Sequence, residues 1–168
     1  MSGAYFKNVG GTPIGADSVE LDALDGSTQY IASESAAVTL TRASHAGKTM
    51  LMDRLAGVTY TLPAATGSGD TYKFLQTVIP TSVGNIIQVT TTDTMVGYVN
   101  TLDDTTDNMG GFNASGTDDT ITLNLTTKGG NAIGEEFECV DIASALWMVR
   151  GRTYSTGSFA TPFSAAVS

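Results

Sequence analysis

The longest strand-like stretch of the chain is Tyr72-Lys73-Phe74-Leu75-Gln76-Thr77-Val78-Ile79, and Pro80 follows it directly. Most of its residues are aromatic or β-branched, and such side chains fit the pleated surface of a sheet. Proline cannot donate a backbone hydrogen bond to a neighbouring strand, so it closes a strand of this kind. The stretch therefore predicts a β-strand near the middle of the chain.

Shorter stretches of similar character lie on both sides of it, and turns rich in Gly, Pro and Asp separate them. Together with 72–79, the predicted strands are 38–41, 49–52, 58–62, 86–89, 95–99, 120–125, 136–140 and 146–149. Gly97 inside one of them indicates a bulge or a close backbone approach. Short strands at this spacing are typical of sandwiches and barrels. We therefore predict an all-β fold, an antiparallel β-sandwich or barrel of the jelly-roll type.

The N-terminal part of the chain lacks this alternation. Residues 1–36 are punctuated by glycines and Pro13, and an acidic run covers residues 17–25. We expect them to form an extended arm or a loosely packed segment, with a short helix near 19–24. Since 168 residues correspond to one domain, we assign residues 37–168 to a single β domain.

The charge balance excludes some classes of partner. The chain has 8 Lys and Arg residues against 17 Asp and Glu residues, which gives a net charge of −9. Binding to nucleic acid requires clustered basic side chains that displace counterions from phosphates. We therefore expect neither nucleic acid nor an anionic membrane as partner. The acidity favours solubility, and an acidic face for a basic partner or for cations remains an alternative. No stretch of 18 apolar residues predicts a membrane-spanning helix, and the first residues do not resemble a signal peptide.

Two residues that often carry chemistry are predicted to be structural. Cys139, the single cysteine, shares a strand face with Phe137, while Glu136 and Glu138 lie on the other face. This pattern indicates a small core residue rather than a reactive thiol. Trp147 is the single tryptophan, and its place in an alternating strand favours a core or interface position over a sugar-stacking platform.

A catalytic triad is the enzymatic alternative. His45 is the single histidine, and Ser44 with Asp53 or Asp70 would complete a Ser-His-Asp set. That chemistry requires the three groups to meet in space, and adjacent residues of a polar turn give no reason to expect it. We predict a solvated turn histidine, no catalytic residue and no enzyme activity.

Cofactor motifs are weak. The run Gly47-Lys48-Thr49 resembles the end of a phosphate-binding loop, but Arg42 stands where the first glycine belongs, and a strand follows instead of a helix. One histidine and one cysteine cannot form a zinc site. We therefore predict no cofactor.

Residues 100–119 form the least regular part of the β region, and we expect a long loop there. The segment contains oxygen-rich side chains that suit a calcium ion: Asp103, Asp104, Asp107, Asn108, Asp118 and Asp119. It lacks the spacing of an EF-hand, so a solvated acidic turn is the main interpretation. No metal-binding residue is assigned.

Several blocks of the sequence resemble structural proteins of tailed-bacteriophage virions. The first is a Gly-Lys-Thr … Thr-Leu-Pro-Ala pattern, which corresponds here to Gly47-Lys48-Thr49 and Thr61-Leu62-Pro63-Ala64. The second is a late strand of the form Trp-x-Val-x-Gly, here Trp147 to Gly151. The similarity extends over roughly residues 37–164 and is greatest to capsid decoration, or cement, proteins.

The resemblance implies a function and a set of partners. It implies a protein on the outer surface of the capsid that clamps neighbouring major capsid subunits. It also implies a homo-oligomer, and since trimers are common among such proteins, a trimer. In that setting the arm would become ordered on binding. Related modules also occur in tails and fibres, so a tail-associated receptor- or glycan-binding module is the alternative role, for which the segment 100–119 is the candidate region.

Overall fold

The computed structural model describes residues 30–32 and 35–167. They form two β-sheets packed against each other and a single four-residue helix within the described part, α1 (Arg42–His45). Strands are numbered in chain order. The large sheet has seven strands in the spatial order β1 (Tyr30–Ile31), β3 (Thr49–Met52), β5 (Thr71–Gln76), β10 (Glu136–Ala143), β11 (Leu146–Ser155), β7 (Thr94–Asp103) and β8 (Met109–Asn113). The small sheet has five, in the order β12 (Phe163–Ser164), β9 (Thr120–Thr122), β6 (Ile86–Gln88), β4 (Thr59–Thr61) and β2 (Ala37–Thr39).

The first half of the fold winds between the two sheets. Strands β1, β3 and β5 are parallel neighbours in the large sheet, and β2, β4 and β6 are parallel neighbours in the small one. Parallel strands need a long crossover between them, and here each crossover contains a strand of the opposite sheet. From β7 onward the chain uses hairpins as well, β7–β8 and β10–β11.

This winding explains a difference from the expected antiparallel pairing. The all-β sandwich is confirmed, but the described strand pairs divide equally into five parallel and five antiparallel ones. Strand direction depends on which strands become neighbours, and the alternation of side chains along one strand contains no information about that.

The core lies between the inner faces of the sheets. In β5, Tyr72 and Phe74 are buried while Lys73 between them is exposed. Phe74 meets Tyr60 of the small sheet edge-on, with ring centroids 5.2 Å apart, and Tyr72 meets Trp147 in the same manner at 5.6 Å. Burying aromatic side chains of this size contributes on the order of 2 kcal/mol each.

All nine predicted strands are confirmed, and three short ones, β1, β8 and β12, were not predicted. The expected long loop at residues 100–119 is wrong, because β7 continues to Asp103 and β8 returns from Met109.

Gly97 confirms the predicted close approach. Its φ is +122°, and a Cβ atom there would collide with the carbonyl oxygen of Val149 on β11.

Part of the predicted arm lies in the sheet. Tyr30 and Ile31 form β1, at the edge of the large sheet beside Thr49 and Met50. Residues 1–29, including the short helix expected at 19–24, lie outside the described residues, as do residues 33, 34 and 168. None of the described helices is long and apolar enough to cross a membrane.

Candidate functional site

His45 closes the turn that contains it. Its Nδ1 atom accepts a hydrogen bond from the backbone N–H of Thr41 at 3.0 Å, which places the ring at the end of α1. Asp70, one of the proposed triad acids, forms an ion pair of 2.7 Å with Nε of Arg42. The nitrogen that a triad carboxylate would orient is thus engaged by the turn itself.

The acids of residues 100–119 lie at opposite ends of the β7–β8 hairpin. Asp103 accepts hydrogen bonds from the backbone N–H groups of Thr105 and Thr106 at 2.8 and 3.2 Å and so closes the hairpin turn. The hydrogen bonds from Thr105 and Thr106 lower the pKa of its carboxyl group. At the other end, Asp119 holds the C-terminal segment through the backbone N–H of Ala166 at 2.7 Å.

This separation argues against a shared cation site in that segment. Among residues 30–32 and 35–167, no three His, Cys, Asp or Glu side chains come together in a way that could hold a metal ion. The acids instead hold backbone and hydroxyl groups of turns, as Asp104 does with the hydroxyl of Thr156 at 2.8 Å.

Cys139 and Trp147 lie where the sequence placed them. Both are fully buried between the sheets. Burial, and secondarily the charge of Glu138, raises the pKa of the Cys139 thiol well above its ordinary value. The thiol is therefore protonated and shielded, which suits a core residue and not a nucleophile. The Gly-Lys-Thr run ends in β3, as expected, rather than in a helix.

A groove with a volume of about 470 Å³ crosses the outer face of the large sheet. One row of cross-strand neighbours forms much of its floor, running through Tyr30, Thr49, Lys73, Glu138, Arg150 and Tyr98. A second row, through Leu75, Glu136, Arg152 and Asn100, lies beside it. Both rows consist of the outward-facing residues of strands whose other faces are buried.

Basic side chains outnumber acidic ones in the groove. Lys73, Arg150 and Arg152 are three of the eight basic residues of the chain, and only two of its seventeen acids, Glu136 and Glu138, lie among them. The arginines pair with those acids through Nη2, Arg150 with Glu138 at 3.1 Å and Arg152 with Glu136 at 3.4 Å. All four side chains remain partly exposed, so these pairs hold the arginines in place without removing them from solvent.

A second surface feature is an apolar end of the sandwich. Its exposed side chains are Leu55, Ile79, Val83 and Ile133, of which Leu55 is 61% and Ile133 65% accessible. They lie on three loops that follow β3, follow β5 and precede β10. The backbone N–H of Thr81 donates to the carbonyl of Leu55 at 2.8 Å, and that of Gly134 donates to the carbonyl of Gln76 at 2.8 Å. We call these four residues the apolar end.

A buried polar network supports the apolar end from within. The carboxylate of Glu135 accepts hydrogen bonds from the backbone N–H groups of Gly130 at 2.7 Å and Ala132 at 3.1 Å. Gln76 donates to the carbonyl of Gly130 at 2.8 Å, and its own oxygen accepts from Asn85 at 3.1 Å. Burial raises the pKa of Glu135 to about 7, although the backbone N–H groups around it favour the charged form.

A second carboxylate fixes the opposite end. Asp141 accepts hydrogen bonds from the backbone N–H groups of Thr66, Gly67 and Ser68, the shortest 2.6 Å long. Burial alone would raise its pKa, but these hydrogen bonds outweigh burial and lower the pKa to about 2. The turn at residues 66–68 is thereby held against the large sheet.

Sequence reasoning missed both the groove and the apolar end. The groove residues come from six strands that are spread from residue 30 to residue 152, and only the strand order brings them together. For the apolar end, the only indication in the sequence was isolated Leu, Val and Ile residues in loops. Because single exposed apolar residues are common on protein surfaces, they do not predict a binding surface. No family model, curated protein or solved structure matches this chain.

Proposed function

We propose that this protein is a structural component of a tailed-phage virion that decorates and stabilises the capsid by clamping neighbouring major capsid subunits. The observation that carries the proposal is the apolar end. Exposed apolar side chains grouped at one place are typical of surfaces that bind another protein, and the decoration-protein resemblance supplies the partner.

The construction of the apolar end fits this role. A clamp must present a preformed surface, because ordering loops on binding costs free energy. Here the hydrogen bonds of Leu55, Gln76 and Glu135 hold the three loops in one arrangement before any partner binds. An all-β sandwich without disulfides places this surface on a rigid support. The resemblance favours a trimer on the outer surface of the virion. Native mass spectrometry of the purified chain tests the number of subunits.

The tail-associated module is the alternative role. The segment 100–119 that suggested it is a hairpin whose acids are engaged in turns. Support for ligand binding therefore comes from the groove on the large sheet instead, and the groove is compatible with either location on the virion.

The test is to mix the purified full-length chain with undecorated capsids and to image them by electron microscopy. We expect density at fixed, symmetric positions on the shell. Ile133→Asp, which places a charge in the apolar end, should weaken binding by about tenfold or more, as expected for a buried interface residue.

The matched control is Ile142→Asp. Ile142 is also an exposed isoleucine, 45% accessible, but it lies near the end of β10, remote from the apolar end. Its substitution should leave binding within about twofold, which is under 0.5 kcal/mol. Absence of density with the unaltered chain, or equal losses in the two variants, would contradict the proposal.

A further inference from the structure

We propose that the groove on the outer face of the large sheet binds an acidic oligosaccharide, a chain of sugars that carry carboxylate groups. This inference goes beyond the proposed function, because the groove and the apolar end are different surfaces. It is carried by the shape of the groove, its local charge and its tyrosines.

The charge of the groove selects an anion. The protein as a whole has a net charge of −9, yet within the groove Lys73, Arg150 and Arg152 outnumber Glu136 and Glu138. An anionic ligand is repelled by most of this surface and attracted here, so the potential directs it to the groove. Each arginine has five N–H donors in a planar fork, and the recorded contact of each with its glutamate joins Nη2 to one carboxylate oxygen. Donors therefore remain for a ligand carboxylate.

The two tyrosines favour a sugar over a simple anion. Tyr98 is 44% and Tyr30 62% accessible, and both line the groove. An aromatic ring that is exposed beside hydrogen-bonding side chains offers a sugar an apolar face and polar partners at once. Beside Tyr98, Asn100 contributes an amide that both donates and accepts.

The distance between the tyrosines favours a chain over a single sugar. They lie in the same cross-strand row, five strand spacings apart. At about 4.8 Å per spacing, they are separated by roughly 24 Å. An oligosaccharide lying across the strands can contact the tyrosines at both ends and the arginines between them.

The test is calorimetric titration of the full-length chain with short oligogalacturonate, and with neutral cello-oligosaccharide of the same length as control. We expect binding of the acidic chain only, and weaker binding as ionic strength rises. Tyr98→Ala and Arg150→Gln should each reduce affinity by about tenfold or more, because each removes a stacking or charge-assisted contact. Tyr98→Phe, which keeps the ring, should bind within a fewfold of the unaltered chain.

Arg42→Gln is the matched control for charge, because Arg42 is exposed and ion-paired but lies on α1, outside the groove. It should leave affinity unchanged. Equal binding of the neutral chain, or no effect of Arg150→Gln, would overturn the proposal. So would self-association of the protein that Arg150→Gln abolishes, since the groove would then be an interface between copies.

The outcome is distinguishable from that of the capsid experiment. Arg150→Gln should leave capsid decoration intact, and Ile133→Asp should leave oligosaccharide binding intact. Failure of one proposal therefore does not imply failure of the other.

Discussion

At the scale of single residues, Glu135 and Asp141 show how surroundings decide the behaviour of chemically similar groups. Both carboxyl groups are buried and both accept hydrogen bonds from backbone N–H groups. For Glu135 burial dominates and raises the pKa to about 7, whereas for Asp141 the hydrogen bonds dominate and lower the pKa to about 2. The sequence around either residue gives no indication of this difference. The donors to Asp141 come from the distant turn at residues 66–68, and the burial that dominates at Glu135 is created by the packing of the fold.

The raised pKa of Glu135 predicts a dependence of stability on pH. Its stabilising contribution is complete below the unfolded pKa of 4.5 and is lost as the pH rises through about 7, because the folded protein opposes ionisation. Replacing it in Glu135→Gln removes this ionisation. Between about pH 4 and pH 8, the free energy of unfolding of the unaltered chain should fall by about 3 kcal/mol more than that of the variant.

Chemical denaturation at several pH values measures this difference. Glu136→Gln is the control, because Glu136 is the neighbouring residue and the exposed first residue of β10, and it should retain the pH dependence of the unaltered chain. If the free energies of unfolding of the unaltered chain and of Glu135→Gln depended on pH in the same way, the folded protein would not oppose the ionisation of Glu135.

At the scale of elements, the pairing of β7 with β11 depends on one glycine. These ten-residue strands run parallel as the fifth and sixth of the seven strands of the large sheet and carry Tyr98 and Arg150 of the groove on their outer faces. Gly97 lies opposite Val149 in this pair, and its positive φ allows the two backbones to approach closely. The position of the groove therefore depends on a residue that contributes no side chain to it.

Gly97→Ala should destabilise the protein by roughly 3 kcal/mol or more, since it adds both an unfavourable φ and a steric clash with the Val149 carbonyl. Thermal unfolding measures the loss. In the control Gly111→Ala, on β8, the nearest atom to the new Cβ is Oδ1 of Asn100 at 3.3 Å, a side-chain atom that can move. The control should cost less than about 1 kcal/mol. Similar losses in the two variants would contradict the assigned role of Gly97.

At the scale of the whole molecule, the alternation of the chain between sheets predicts cooperative unfolding. Because successive strands from β1 to β7 belong to opposite sheets, neither sheet can separate without breaking the connections of the other. Trp147 is buried between the sheets, so its fluorescence reports on the core, while far-UV circular dichroism reports on the strands.

We expect the two signals to change together in one transition during chemical denaturation, as in two-state unfolding. Refolding should take milliseconds to seconds, because most strand pairs join distant parts of the chain. Measurements at two protein concentrations control for association between copies. Two separate transitions would show that the sheets unfold independently.

The sequence by itself determined the fold class and most of the elements. Alternation in stretches such as residues 72–79 requires one face of each strand to be buried, and this local property identified nine strands and the buried positions of Cys139 and Trp147. It also predicted His45 in a turn, whereas the structure places His45 as the last residue of the short helix α1, just before the turn.

Only the tertiary structure decided which strands are neighbours, in which direction they run and what their outer faces form together. β8, rich in glycine, and the two-residue strands β1 and β12 are too short or too irregular to show a period of two, and they exist because partner strands supply their hydrogen bonds. The row from Tyr30 to Tyr98 depends on the strand order for the same reason. Pairing is an interaction between distant segments, and the pattern within one segment does not contain it.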